Sequence, residues 1–298
     1  MNYYRIGLSF FGVTSLLAMN NAPAALMPDG SDDAAYRAYG DTFAGDLLAL
    51  TVTFDYPGLT SSTASAVRLN SRYALTAAHF VFGLEMYNPS FFVATGDNYK
   101  TNPGTVLAIS DILVYPGYAG TTTTTPDLAI LTFSEFLLPD DAPLTIGFAN
   151  AGEIVIEAGF GASGTPSTGF LSPRDGFRRA WNARIRNNNL VGYSPTYFQT
   201  TTFGGLDSGI SLNGRGAAGD SGGPVFNASG ELIGVTKAAS NGNAASGVTI
   251  FQKLSEPDVL SWIQQNTVVP EPSSALLLLV GTAYFYIRRS SIHNDLNG

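Results

Sequence analysis

The sequence predicts an all-β protein with antiparallel sandwich or barrel architecture. Short runs rich in Val, Ile, Thr and Tyr alternate with clusters of Gly, Pro, Asn and Ser along the middle of the chain, and this alternation is typical of such architectures. The 33 Gly and 16 Pro among 298 residues are scattered, which indicates many turns rather than a collagen-like or disordered chain.

The predicted strands extend from residue 47 to residue 253. They cover residues 47–54, 73–76, 106–115, 128–133, 154–159, 180–185, 197–203, 232–237 and 247–253. One helix is predicted after them. Ser255 is its expected N-cap, Pro257 lies in its first turn, and Val259, Leu260 and Ile263 form its apolar face.

Composition excludes several classes of function. The formal net charge of −8 argues against a nucleic-acid partner, because phosphate binding needs a surface rich in Lys and Arg. The chain contains no Cys, so disulfides, thiolate nucleophiles and Cys-ligated metals are excluded. Its two histidines, His79 and His293, lie far apart in sequence. We therefore expect no metal site and no cofactor, and His79 is almost the only candidate for a histidine base.

The N-terminal residues 1–25 have the pattern of a secretory signal peptide. Arg5 supplies the positive start, residues 6–19 form an apolar stretch, and small residues at 22–25 favour cleavage near Ala24 or Ala25. The alternative is an N-terminal core helix or strand. Residues 26–46 are polar and weakly patterned, so they are either a pro-segment or an N-terminal arm.

The C-terminal residues 269–298 contain three ordered features. The motif VPEP at 269–272 is followed by an apolar run at 275–287 and by Arg288-Arg289. The run is shorter than the roughly 20 residues of a comfortable membrane helix, and the basic pair fits a short cytoplasmic tail. This order resembles the PEP-CTERM sorting signal of Gram-negative bacteria. The resemblance implies membrane contact through this segment, processing by an exosortase, and delivery to the cell envelope, surface or extracellular matrix. A plain C-terminal anchor helix is the alternative.

Three further segments contain the residue types of nucleophilic catalysis. They are LTAAH at 75–79, PDLAIL at 126–131 and GDSGGPV at 219–225. A serine hydroxyl becomes a good nucleophile when a neutral histidine removes its proton, and a buried carboxylate holds that histidine in the productive tautomer. Ser221 is thus the candidate nucleophile, His79 the general base and Asp127 its orienting acid. Asp111 is a rival carboxylate, but it lies within an apolar run and no DLAIL pattern follows it.

The glycines around Ser221 predict a tight turn. Backbone N–H groups that point into one small space can stabilise the oxyanion of a tetrahedral intermediate, and such a turn tolerates little Cβ bulk. We expect the N–H groups of Gly219 and Ser221 to form this oxyanion hole.

The ordered motifs TAAH, DLAIL and GDSGGPV resemble those of the chymotrypsin/trypsin family of serine proteases, over about residues 47–265. The resemblance implies a protease domain at 47–268 built from two packed six-stranded antiparallel barrels with a C-terminal helix. It also implies a serine endopeptidase that acts on protein or peptide substrates through an acyl-enzyme. The alternative is a catalytically silent surface or matrix binding protein on the same scaffold. A lipase-like α/β-hydrolase is excluded, because its triad follows the order Ser, Asp, His.

The chain departs from the family pattern at its expected substrate pocket. In the family, the residue six positions before the serine lies at the base of this pocket, and here that residue is Arg215. Arg215 either points into the pocket and favours acidic side chains, or turns out to solvent and leaves a small neutral pocket. Lys237 lies on the strand expected to pair with the substrate backbone, where it either adds positive charge near the triad or faces solvent.

Activation is a second departure. The resemblance implies that a new N-terminal ammonium pairs with Asp220, yet no matching Ile-Val-Gly-Gly start occurs at 26–46. An internal arginine is the alternative partner, with Arg178, Arg179 and Arg184 as candidates.

Overall fold

The computed structural model describes residues 25–120, 123–135, 143–170, 173–187, 196–201, 209–239 and 247–268. These residues form two closed six-stranded antiparallel barrels and a C-terminal helix, so the fold predicted from the sequence and its resemblance is confirmed. Within the described ranges, no helix is long and apolar enough to cross a membrane. The predicted sorting segment 269–298 and the predicted signal peptide, except Ala25, lie outside these ranges.

The first barrel has the strand order β1-β2-β3-β6-β5-β4. Its strands are β1 (Leu47–Phe54), β2 (Ser62–Arg68), β3 (Tyr73–Thr76), β4 (Pro89–Ala94), β5 (Val106–Val114) and β6 (Ala129–Phe133). Its interior is packed with apolar side chains such as Leu48, Leu50, Val93, Leu131 and Phe133.

The second barrel has the strand order β10-β11-β14-β13-β12-β7. Its strands are β7 (Ile154–Gly159), β10 (Arg179–Asn187), β11 (Tyr197–Thr201), β12 (Pro224–Phe226), β13 (Leu232–Ala239) and β14 (Val248–Lys253), and a separate two-stranded sheet contains β8 (Gly164–Thr165) and β9 (Gly169–Phe170). Its core includes Val155, Ile185, Phe198, Ile233 and Phe251.

Among the described residues, one helix precedes the first strand, one follows the last strand, and the others lie between β3 and β4. The helices are α1 (Asp33–Asp41), α2 (Ala78–Val81) and α3 (Pro257–Asn266), with a short 3₁₀ helix at Glu85–Tyr87. Helix α3 buries Val259, Trp262 and Ile263 against both barrels. Its N-cap is Glu256 rather than the predicted Ser255, because Pro257 takes the first helical position, where its missing N–H costs no bond.

Helix α1 was not predicted from the sequence. Asp32 caps it by accepting the N–H of Ala34, and its contacts are with β10. The segment before it pairs with Arg215 and with β8. The N–H of Leu26 donates to the carbonyl of Arg215 at 2.8 Å, and that of Met27 to Gly164 at 2.9 Å. Whether residues 26–46 are a pro-segment or a permanent N-terminal arm stays a prediction.

Candidate active site

Strand pairing in the first barrel brings His79 and Asp127 together. Strands β3 and β6 are antiparallel neighbours, with Thr76 opposite Ala129 at the end of β3. His79 is the second residue of α2, three positions after Thr76, and Asp127 precedes Ala129 by two residues. Both side chains consequently lie at the same edge of the barrel.

A continuous hydrogen-bond chain joins the three predicted catalytic side chains. His79 Nδ1 lies 2.8 Å from Asp127 Oδ2, and His79 Nε2 lies 2.9 Å from Ser221 Oγ. A second bond, from the His79 backbone N–H to Asp127 Oδ1 at 2.9 Å, fixes the carboxylate. An ionised carboxylate only accepts hydrogen bonds, so Nδ1 carries the proton and Nε2 is free to accept from the serine hydroxyl.

The loop that carries Ser221 contacts the first barrel directly. The N–H of Ser65 on β2 donates to the carbonyl of Ser221 at 2.9 Å, and the Ser65 hydroxyl donates to the carbonyl of Gly219 at 2.9 Å. Gly222 has a φ of +84°, and a Cβ there would lie 2.1 Å from the carbonyl oxygen of Ser65. The turn after Ser221 therefore needs glycine for its backbone conformation and for space.

The two predicted oxyanion-hole donors lie on either side of Asp220. Among the hydrogen bonds of the described residues, neither the N–H of Gly219 nor that of Ser221 has an acceptor. Gly219 has a φ of +100°, a region that side chains disfavour. Two N–H groups without acceptors, beside a serine hydroxyl, fit the requirement for an oxyanion site.

Asp127 is held by both barrels. Its side chain is only 2% exposed, and its backbone N–H donates to the hydroxyl of Tyr197 at 3.1 Å and to Gln252 Oε1 at 3.2 Å. Burial alone would raise the pKa of the Asp127 carboxyl, but the charge and hydrogen bonds of His79 and the charge of Lys237 hold that pKa well below its usual range.

Asp220 is a buried carboxylate next to the nucleophile. Burial raises its pKa to about 7, although the backbone N–H groups of Ala217 and Gly161 and the charges of Arg174 and Arg179 act in the opposite direction. Those N–H groups donate to Oδ2 and Oδ1 at 2.9 and 3.0 Å.

The arginines proposed as partners of Asp220 have other contacts. Arg178 pairs with Asp41, and Arg179 forms ion pairs with Asp33 and Asp175. Arg184 donates to the carbonyl of Gly152. Sequence reasoning missed Arg174, whose charge lowers the pKa of Asp220 more than that of Arg179 does.

The two predicted pocket residues occupy different environments. Arg215 is 1% exposed, so its side chain does not turn out to solvent, which removes that alternative. The ammonium of Lys237 lies 3.1 Å from Asp127 Oδ2, and its side chain is 12% exposed. Lys237 therefore contacts the triad rather than facing solvent. The rival Asp111 lies exposed on β5.

Tyr197, Gln252 and Ser65 hold the site but carry no local sequence signal. They reach it across separations of 70 residues for Tyr197 and 125 for Gln252. No group of three or more His, Asp and Glu with the geometry of a metal site occurs in the described part of the chain.

The two barrels and the Ser–His–Asp arrangement at their junction define the chymotrypsin-like class of double-barrel proteins. The family model described as Trypsin matches residues 48–263. The chain therefore belongs to the trypsin family.

Solved structures with the same fold differ in what their names say of activity. One is a scabies mite inactivated protease paralogue, S-I1, at 21% identity and a TM-score of 0.52, with 74% of this chain and 92% of that chain covered. Another is neuropsin, a serine protease expressed in the limbic system of mouse brain, at 17% identity and a TM-score of 0.53, with coverage of 74% and 94%. No curated protein sequence matches the chain significantly.

Proposed function

We propose that this protein is an exported serine endopeptidase that cleaves peptide bonds through an acyl-enzyme. The single observation that carries the proposal is the continuous hydrogen-bond chain from Ser221 through His79 to Asp127, with distances of 2.9 and 2.8 Å. Protein or peptide substrates follow from membership of the trypsin family.

The groups of the candidate site have distinct chemical tasks. Ser221 Oγ attacks the peptide carbonyl carbon while His79 Nε2 takes the hydroxyl proton. The oxygen of the tetrahedral intermediate accepts from the N–H groups of Gly219 and Ser221. His79 then gives its proton to the leaving amine as the C–N bond breaks. Water, deprotonated by the same nitrogen, releases the acyl group, and no metal or cofactor takes part.

Export and surface delivery are proposed on sequence pattern alone. The signal-like residues 1–25 direct the chain out of the cytoplasm, and the PEP-CTERM-like residues 269–298 provide membrane contact and a substrate for an exosortase-type enzyme. Mass spectrometry of the cell-surface form tests both. A mature protein that retains residues 1–24 and 269–298 would contradict this part.

Fluorophosphonate labelling of the full-length chain tests the activity. We expect labelling of the parent and none of Ser221→Ala or His79→Ala, because the probe reacts only with an activated serine. The matched controls are Ser229→Ala, on an exposed surface turn, and His293→Ala, and both should be labelled like the parent.

A catalytically silent binding protein is the second candidate, since one solved structure of this fold is named an inactivated protease paralogue. Folded parent protein that resists labelling, before and after trimming of its N-terminus, would favour this candidate and reject the endopeptidase.

A further inference from the structure

Lys237 lies on an irregularity of the second barrel. In the pairing of β13 with β14, Thr236 is opposite Phe251 and Ala238 is opposite Ile250, so Lys237 is an extra residue between them. A bulge of this kind turns a side chain away from the regular alternation of a strand. Here the Lys237 side chain extends toward the first barrel, where its ammonium donates to Asp127 Oδ2 at 3.1 Å.

The oxygen that Lys237 contacts is also the one that accepts from His79 Nδ1. Two groups thus share a single carboxylate oxygen, the Lys237 ammonium and the His79 ring that takes up a proton during catalysis. The ammonium also lies 5.0 Å from the centroid of the Tyr197 ring, within cation–π distance.

We propose that Lys237 is a positioning residue that partly neutralises Asp127 and thereby extends catalysis to lower pH. The inference rests on the proposed endopeptidase function. Protonated His79 cannot act as a base, and the negative charge of Asp127 favours protonation. A fixed cation on the same carboxylate weakens that effect, so His79 stays neutral and competent in more acidic solution.

The other groups around the carboxylate do not provide this cation. Tyr118 and Tyr197 are phenols, and burial together with the negative charge of Asp127 raises the pKa of Tyr118, which keeps it neutral. Gln252 is uncharged. Among the described residues in contact with Asp127, Lys237 is the only ammonium or guanidinium group.

The test is the pH profile of kcat/KM for the full-length chain, compared with Lys237→Met. We expect the acid limb of Lys237→Met to move upward by about 1 pH unit, the size expected when a charge close to a titrating group is removed. Lys237→Arg retains a cation and should restore the parent profile. Lys253→Met is the matched control, because the Lys253 side chain is about as buried as that of Lys237 and forms an ion pair with Glu256 at 2.9 Å. The acid limb of Lys253→Met should not move.

A second readout separates this inference from the activity itself. In a Ser221→Ala background, NMR follows the His79 ring protons against pH, and His293→Gln identifies which signals belong to His79. The pH of half-shift should rise by about 1 unit on Lys237→Met. If the parent proves inactive yet this shift occurs, the proposed function fails and the effect of Lys237 on His79 stands.

An unmoved acid limb and an unmoved His79 titration in folded Lys237→Met would overturn the inference, even if the rate fell at every pH. Should Lys237→Met fail to fold, Lys237→Gln provides a smaller uncharged variant, for which the same two readouts decide.

Discussion

The hydroxyl of Tyr197, on the second barrel, accepts the backbone N–H of Asp127, on the first, at 3.1 Å. The same hydroxyl donates to the carbonyl of Thr125 at 2.6 Å. The loop that presents the candidate catalytic acid is therefore fixed by a residue of the opposite barrel. Loss of the Tyr197 hydroxyl should loosen that loop without removing any group of the triad.

Tyr197→Phe tests this relationship. We expect the free energy of unfolding to fall by about 1 kcal/mol, because the Thr125 carbonyl loses its donor and the Asp127 N–H keeps only Gln252 Oε1 as acceptor. We also expect kcat/KM to fall about tenfold, since misplacement of a catalytic group slows the reaction. Urea unfolding and peptide hydrolysis measure the two effects.

Tyr39→Phe is the control, since the Tyr39 hydroxyl donates to Asn182 Oδ1 at 3.0 Å, away from the triad. Equal losses of activity in both variants would contradict a specific role for Tyr197.

Gly222→Ala should give little active protein. The added Cβ would lie 2.1 Å from the Ser65 carbonyl oxygen and 2.2 Å from Thr76 Oγ1, at a backbone φ of +84°. Such overlap costs about 3 kcal/mol or more unless the nucleophile loop moves. Gly230→Ala has a similar φ of +78° but open space around its Cβ, so about 1 kcal/mol is expected there. Thermal unfolding and fluorophosphonate labelling distinguish them, and equal behaviour would reject the steric explanation.

The stability of the second barrel should fall as pH rises from about 4.5 to about 7. Burial raises the pKa of Glu157 from 4.5 to about 7, against hydrogen bonds from Thr200 and Trp181. The folded state therefore holds this proton more tightly than the unfolded state. The contribution is complete below about pH 4.5 and is lost as pH rises through about 7.

Glu157→Gln should flatten this part of the stability curve, measured by urea unfolding at several pH values. A slope should persist, because burial raises the pKa of Asp220 to about 7 as well. Glu135→Gln changes an exposed carboxylate and should leave the slope as in the parent. A slope equally steep in Glu157→Gln would refute the assignment.

Cleavage after Lys or Arg should be inefficient. Arg215 occupies the position whose counterpart in the family lies at the base of the primary pocket, and it carries positive charge with 1% exposure. A basic substrate side chain at that position would find a like charge nearby instead of the acid that cleavage after Lys or Arg requires. Profiling with a peptide library measures the preference, and efficient cleavage after Lys or Arg would overturn this prediction.

Much of the fold is visible in the sequence because most strands combine β-branched or aromatic residues with clear turns. Strand β2 was missed because its residues are small: Ala64 and Ala66 are buried in the interior of the first barrel. Small side chains carry no strand signal by themselves. Helix α1 was missed because its burial comes from docking onto β10 rather than from a wide apolar face.

The candidate site likewise contains residues that the sequence predicts and residues that only the fold reveals. His79, Asp127 and Ser221 each lie within a short motif whose pattern is local, and the structure brings them within hydrogen-bond distance. The residues that hold them, such as Tyr197 and Ser65, depend on where distant strands close into barrels. The sequence alone does not show which residues of distant strands lie opposite each other. These contacts can therefore be identified only from the structure.

The buried start of the described chain links the position of any new N-terminus to folding. Ala25 and Leu26 are 0% exposed, and Leu26 runs antiparallel to Arg215, so the backbone before Leu26 lies toward Ala217, whose N–H holds Asp220. If the chain is cut just before Ala25, the new amine belongs to a residue that is 0% exposed, so a charge is placed in a buried position. A cut several residues later removes the edge that Arg215 and Gly164 use for backbone bonding. The position of a cut in this segment would thus help to determine how stably the trimmed protein folds.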